Sequence, residues 1–182
     1  RQRLVHKIDQ RGIMLKMLAD TLQGIVENPP SLTQRLIDRA KDECAEFSRW
    51  NAEYDYRPGD PVFVIPTNLT ATVPETQEGV ALLRPYYQTG EAGRYYCGLE
   101  PSSFLIYSTK KTVKDIGEYP GIERHLAKYR IFMELRRETR AGKNEWFHLH
   151  WPRREEAFEE PKLVVPQMQE GPYSCYVDRP YY

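Results

Sequence analysis

The sequence predicts an α+β fold: N-terminal helices, then a mixed or antiparallel β-rich region carrying one inserted helix. Three observations predict it. Apolar residues recur every three or four positions up to about Trp50 and give way to short apolar runs afterwards. Prolines and glycines bound those runs. A helical period returns after Pro120-Gly121. The 182 residues, 40% hydrophobic and 29% charged, can bury one core or two small ones, unlike a disordered or fibrous chain.

Leu4, Ile8, Leu15, Leu18 and Leu22 give residues 1–22 one apolar side, opposite Arg1, Arg3, Lys7, Arg11 and Lys16. Gly24, Pro29 and Pro30 make residues 23–31 a loop. Ser31 stands as N-cap of a second helix, with Gln34 at the capping-box position. Leu32, Leu36, Ala40, Cys44 and Phe47 carry that helix to about Trp50. Arg57-Pro58-Gly59-Asp60 reads as a turn, residues 62–65 as a buried strand between two prolines, and residues 67–79 as a mobile loop. Residues 80–83 lead into Arg84-Pro85-Tyr86-Tyr87, and residues 104–107 carry the strongest strand signal. Pro120-Gly121 opens a helix with Ile122, Leu126, Tyr129 and Met133 on one face. Residues 146–151, 163–165 and 173–177 read as further strands, and 104–107 and 163–165 are assigned to the core.

Lys plus Arg (26) equals Asp plus Glu (26), which excludes a uniformly basic coat. Charge is local instead: residues 122–154 hold nine basic side chains against four acids. A solvated helix face with ion pairs and a one-sided positive face both fit that run. No apolar run reaches membrane-spanning length, and no signal-peptide pattern opens the chain. Three cysteines, odd in number and far apart, argue against a disulfide framework and for a reducing, cytoplasmic setting. The 13 tyrosines and 14 prolines fit a recognition surface or a small core with tyrosine rims. A chain running from Arg1 to Tyr181-Tyr182 within a strand-like stretch reads as a piece of a longer protein.

Enzyme signatures are thin. Asn28-Pro29-Pro30-Ser31 resembles the Asn/Asp-Pro-Pro-aromatic loop of amino-methyltransferases, but Ser31 lacks the ring that stacks on a flipped base. A Pro-Pro loop ahead of a helix cap explains the same four residues. His148-Leu149-His150 could set two imidazoles on one strand face, as metal ligands or as polar rim residues. No nucleophile elbow and no phosphate-cradling glycine loop is present. Trp146 to Arg154 mixes rings, imidazoles and two arginines, suited to nucleic acid or to ion pairs with Glu155 and Glu156.

Six stretches in order change this reading: LADTLQGIVENP (18–29), GDPVFVI (59–65), LLRPYYQTGEAGRYY (82–96), SFLIYST (103–109), DIGEYPGIERHLAKY (115–129) and WFHLHWPRREEAFEEPKLVVPQ (146–167). Over residues 18–177 they are similar to the TaqI-like C-terminal specificity domain. That is the target recognition domain of type IIG restriction–modification enzymes and adenine-specific DNA methyltransferases. The helical stretch 31–58 is longer than the family's usual loop, and the region before Tyr181 is shorter than its usual tail.

The resemblance implies a module that reads double-stranded DNA and positions it for base flipping and methylation by an upstream domain. Residues 1–22 become a helical linker from that catalytic domain, and residues 23–182 the target recognition domain, as a truncated fragment. The fragment is then no enzyme and holds no cofactor. S-adenosylmethionine belongs to the parent's catalytic domain, with or without an endonuclease domain beside it. The expected partners are double-stranded DNA and the upstream methyltransferase domain, with no membrane. Side-chain chemistry and motif position together select Trp146, His148, His150, Arg153 and Arg154 as DNA contacts, with Lys162 and Gln167 nearby. Arg84, Tyr86 and Arg94 follow, and Arg136, Arg137 and Arg140 are expected on phosphates. The competing expectation is a protein–protein interaction module using its aromatic and proline-rich face.

Overall fold

Between Pro30 and Val62 the chain makes an out-and-back excursion. The computed structural model, which describes residues 17, 19–93, 95–165 and 174–182, closes it with backbone bonds: Leu32 N to Asp60 O (2.9 Å), Gly59 N to Leu32 O (2.8 Å) and Val62 N to Pro30 O (3.0 Å). The turn at 57–60 is as predicted, with Gly59 at φ +96° and the Arg57 amide donating to Asp60 Oδ2 (2.8 Å). These bonds keep Ser31 extended, bridged to Pro61, so it does not cap the helix. Thr33 does, its hydroxyl accepting from Leu36 N (3.3 Å) at the start of α1 (Gln34–Glu43). The predicted single helix is two. It breaks at Cys44, and α2 (Phe47–Tyr54) turns Phe47 inward against Tyr56 before ending on left-handed Asp55.

The main sheet has three antiparallel strands in the order β1 (Val64–Pro66), β5 (Ser103–Ile106), β2 (Leu83–Tyr86). Partners are Val64↔Leu105 on one side and Arg84↔Leu105 on the other. The most apolar run is the middle strand, where both edges are paired and Leu105 and Ile106 are fully buried. The strands carrying Pro66 and Pro85 take the edges, where a missing N–H costs no ladder bond. Residues 67–79 are not a free loop: Val73 and Pro74 are buried, and Gln77–Val80 forms a helical turn, α3.

Pro120 opens α4 (Pro120–Ala127) as predicted, but the one helix expected through Met133 is two: the chain turns at 128–129 before α5 (Arg130–Glu134), and α6 (Arg137–Arg140) follows. Ile122, Leu126, Tyr129 and Met133 are all buried. At Gly121 a Cβ would lie 2.2 Å from Val73 O, so only glycine lets this helix approach the 70s segment. Phe63, Ile65, Leu105, Ile122, Phe132 and Leu149 lie at the centre of the main core.

A satellite core joins β3 (Ala92–Gly93) and β4 (Tyr96–Cys97) to a ribbon of β6 (Lys162–Val164) and β7 (Cys175–Val177). Tyr87 stacks on Tyr181 there (centroids 3.9 Å apart). A Cys97–Cys175 disulfide ties the two ribbons, contrary to the expectation from cysteine count; pairing depends on which chains meet, not on parity. Leu163 and Val165 are 67% and 65% exposed, not core: β6 alternates, and Lys162 and Val164 take the inner side. Residues 146–151 form no strand. They are turns with one bridge, Trp151 to Val26. The predicted helix over 1–22 falls mostly outside the described residues, and 19–22 are not helical. Among the described residues no helix is long and apolar enough to cross a membrane.

Candidate nucleic-acid interface

The 144–154 segment folds around one guanidinium. Arg136 is only 6% exposed. Its Nη1 donates to His148 O (2.8 Å) and Asn28 O (3.3 Å), Nη2 to Trp146 O (2.8 Å) and Glu145 O (3.2 Å), and Nε to Met133 O (3.2 Å). Five carbonyls from three stretches of chain are thereby satisfied. Burial lowers its pKa to about 10, so it stays cationic at neutral pH. Arg136 is a structural hub and not a phosphate contact.

His148 is equally committed. Its Nδ1 accepts from Glu145 N (3.3 Å), which leaves the proton on Nε2 to donate to Val113 O (2.9 Å). Burial depresses its pKa and holds it neutral, with neither nitrogen free for DNA or a metal. His150 is half-buried, its Nδ1 3.3 Å from Glu138 Oε2, and desolvation lowers its pKa despite that carboxylate. Phe147 and Leu149 are core. Trp146 is half-buried, under the Arg130 guanidinium (5.3 Å).

Beyond His150 the segment turns outward. Trp151 is 48% exposed, and the Arg153 guanidinium stands 5.5 Å from its ring. Arg153 takes a left-handed backbone (φ 62°) and donates from Nη2 to Gln23 Oε1 (2.9 Å). Arg154 is exposed and makes no ion pair among the described residues. Both arginines line a cleft of about 480 Å³ together with Lys110 and Lys111. An adjoining hollow of about 280 Å³ shares Lys110, Asn144 and His148 with it and adds Lys114 and Lys143. The lysines are set by a tight turn. Thr109 Oγ1 accepts from the amides of Lys111 and Thr112 (3.2 Å each), and Thr112 Oγ1 donates to Tyr107 O (3.0 Å). None of the four lysines is ion-paired among the described residues. The two hollows, joined by three shared lining residues and together termed the concavity, are lined by six cations and by Glu145, Glu155 and Glu156.

The other expected contacts are engaged elsewhere. Arg84 pairs with Glu155 (2.6 Å), Arg137 with Glu138 (2.9 Å) and Arg140 with Glu43 (2.7 Å). Lys162 donates to Glu160 O (3.0 Å) and Arg179 O (3.2 Å), tying the ribbon to the C-terminal stretch. The half-buried Tyr86 phenol bonds the buried Glu27 carboxyl, and burial raises the pKa of both groups. Arg94 and Gln167 lie outside the described residues. Of the residues selected from the sequence, Arg153, Arg154 and the buried His148 line the concavity, whereas Lys110, Lys111, Lys114 and Lys143 line it without having been selected. The one signal for the first three lysines is a lysine pair directly after the central strand, with a third lysine three residues on. No protein-family model and no curated protein sequence matches the chain.

Proposed function

We propose that this chain is a recognition module for double-stranded DNA, serving an adenine-specific methyltransferase of the restriction–modification kind whose catalytic domain lies upstream. The observation that carries the reading is the concavity of six cations, four of them lysines without a carboxylate partner among the described residues, beside an exposed Trp151. Unpaired lysines are suited to phosphates, and Arg153 and Arg154 to base edges or phosphates. The ordered resemblance to the specificity domains supplies the substrate class. In this reading the chemistry and S-adenosylmethionine belong to the upstream domain, and the protein works in the cytoplasm.

The test is binding of the chain to duplex DNA as a function of salt, read by fluorescence anisotropy. The reading expects log affinity to fall linearly with log salt, with a slope of about −0.9 per phosphate neutralised. Salt-insensitive binding, or none, overturns it. A protein-docking module is the second reading, favoured by the exposed Leu163, Val165 and Tyr176 on the outer side of the β6–β7 ribbon. It expects no salt-dependent affinity for DNA.

A further inference from the structure

Arg84 and Glu155 meet across 71 residues of chain, and only one of them faces the cleft. Glu155 is on the wall. Arg84 is not, yet its Nε (2.8 Å) and Nη2 (2.6 Å) both donate to the same Glu155 oxygen, Oε1. Its Nη1 is used on Ala81 O (2.6 Å) and Leu83 O (3.2 Å). The guanidinium stands 5.6 Å from the ring of Tyr107, itself a wall residue, and 6.0 Å from that of Tyr182. The Tyr182 hydroxyl in turn reaches Glu155 Oε1 (3.4 Å) and Glu159 Oε1 (3.1 Å). Four of the five N–H donors of the guanidinium are used in these bonds, which hold it against Glu155 and leave a single Nη2 N–H, too few for a bidentate grip on a base edge.

We infer that Arg84 is a positioning residue of the DNA cleft: from behind the wall it cancels the charge of Glu155, and so keeps the wall attractive to phosphate. This rests on the DNA reading above. An unneutralised carboxylate on the wall lies within a Debye length of any phosphate in the cleft and repels it. The pair's side chains are only 22% and 29% exposed, so the cancellation is screened less than at an open surface.

The test compares the wild-type chain with Arg84→Gln, Glu155→Gln and the double variant. Duplex binding is measured by anisotropy at ~0.1 M salt, and thermal unfolding is followed in parallel. Arg84→Gln is expected to weaken binding about threefold to tenfold, and Glu155→Gln to bind as tightly as wild type or tighter. The double variant, which lacks both charges, is expected to return to within about twofold of wild type although its ion pair is gone. A double variant as weak as Arg84→Gln overturns the assignment in favour of direct DNA contact. Affinity losses that merely follow the unfolding temperature overturn it in favour of a structural role. Wild-type binding with no rescue sinks this assignment alone. Absence of salt-dependent binding by the wild type sinks the DNA reading, and this assignment with it.

Discussion

Arg136 belongs, by sequence, to a run of basic residues, and by structure to the backbone of the 145–148 turn. No side chain but arginine can serve five carbonyls in a fork. Arg136→Met is expected to cost about 3 kcal/mol in urea unfolding, because carbonyls are left unpaired. Arg136→Lys should recover little of it, since three donors on a flexible stem cannot span the same acceptors. Three histidines give a second prediction. His125, whose Nε2 is 2.9 Å from Val62 O, His148 and His150 all have pKa values lowered from 6.5, in each case first by burial. The unfolded chain therefore takes up protons before the folded one does. The stability these rings contribute is whole above pH 6.5 and is lost as pH falls below it toward the folded values. The unfolding temperature should fall between about pH 7.5 and about pH 5.5. A flat profile there means the rings are not held neutral.

Among the elements, those with a continuous apolar signal were legible and those defined by alternation or by a partner were not. Residues 104–107 read as a strand, and Ser103–Ile106 form one, because the middle strand is paired on both edges and largely buried. The stretch 163–165 looked like core, but a two-stranded ribbon buries one side only, and Leu163 faces out opposite Tyr176. The helix break at Cys44 has no glycine or proline to announce it; it follows from Phe47 packing on Tyr56. The disulfide was hidden for the same reason, since its cysteines are 78 residues apart and meet only when the ribbons do. Closing a loop of that length stabilises by about 4 kcal/mol in the chain-entropy view. Cys97→Ser should cost about 2–4 kcal/mol without reductant and nothing relative to wild type with it. Alkylation and mass spectrometry without reductant should label Cys44 alone among the cysteines.

Across the whole molecule, neutrality conceals a sorted surface. Arginines 39, 57, 84, 124, 130, 137 and 140 each meet a carboxylate, whereas the lysines of the concavity meet none among the described residues. Replacing Lys110, Lys111, Lys114 and Lys143 together by Gln should flatten the salt dependence of duplex binding. The slope should shrink by about 0.9 for each phosphate the variant no longer neutralises, equally for every duplex sequence. On the DNA reading proposed above, replacing Arg153 and Arg154 by Gln should instead change which duplex sequences are preferred, read by anisotropy against a panel of duplexes. An unchanged slope in the lysine variant removes that rim from the interface.

Local sequence was sufficient for the α+β class, the strong strand signal at 104–107 and the helix opening at Pro120, because propensity and apolar period act over a few neighbours. Which cations are left free is a different kind of fact. It depends on which carboxylates the fold brings within reach: Glu155 to Arg84, Glu43 to Arg140, and, among the described residues, none to Lys110, Lys111, Lys114 or Lys143. Charge pairing acts through space between residues tens of positions apart, so only the tertiary structure decided where the positive face lies.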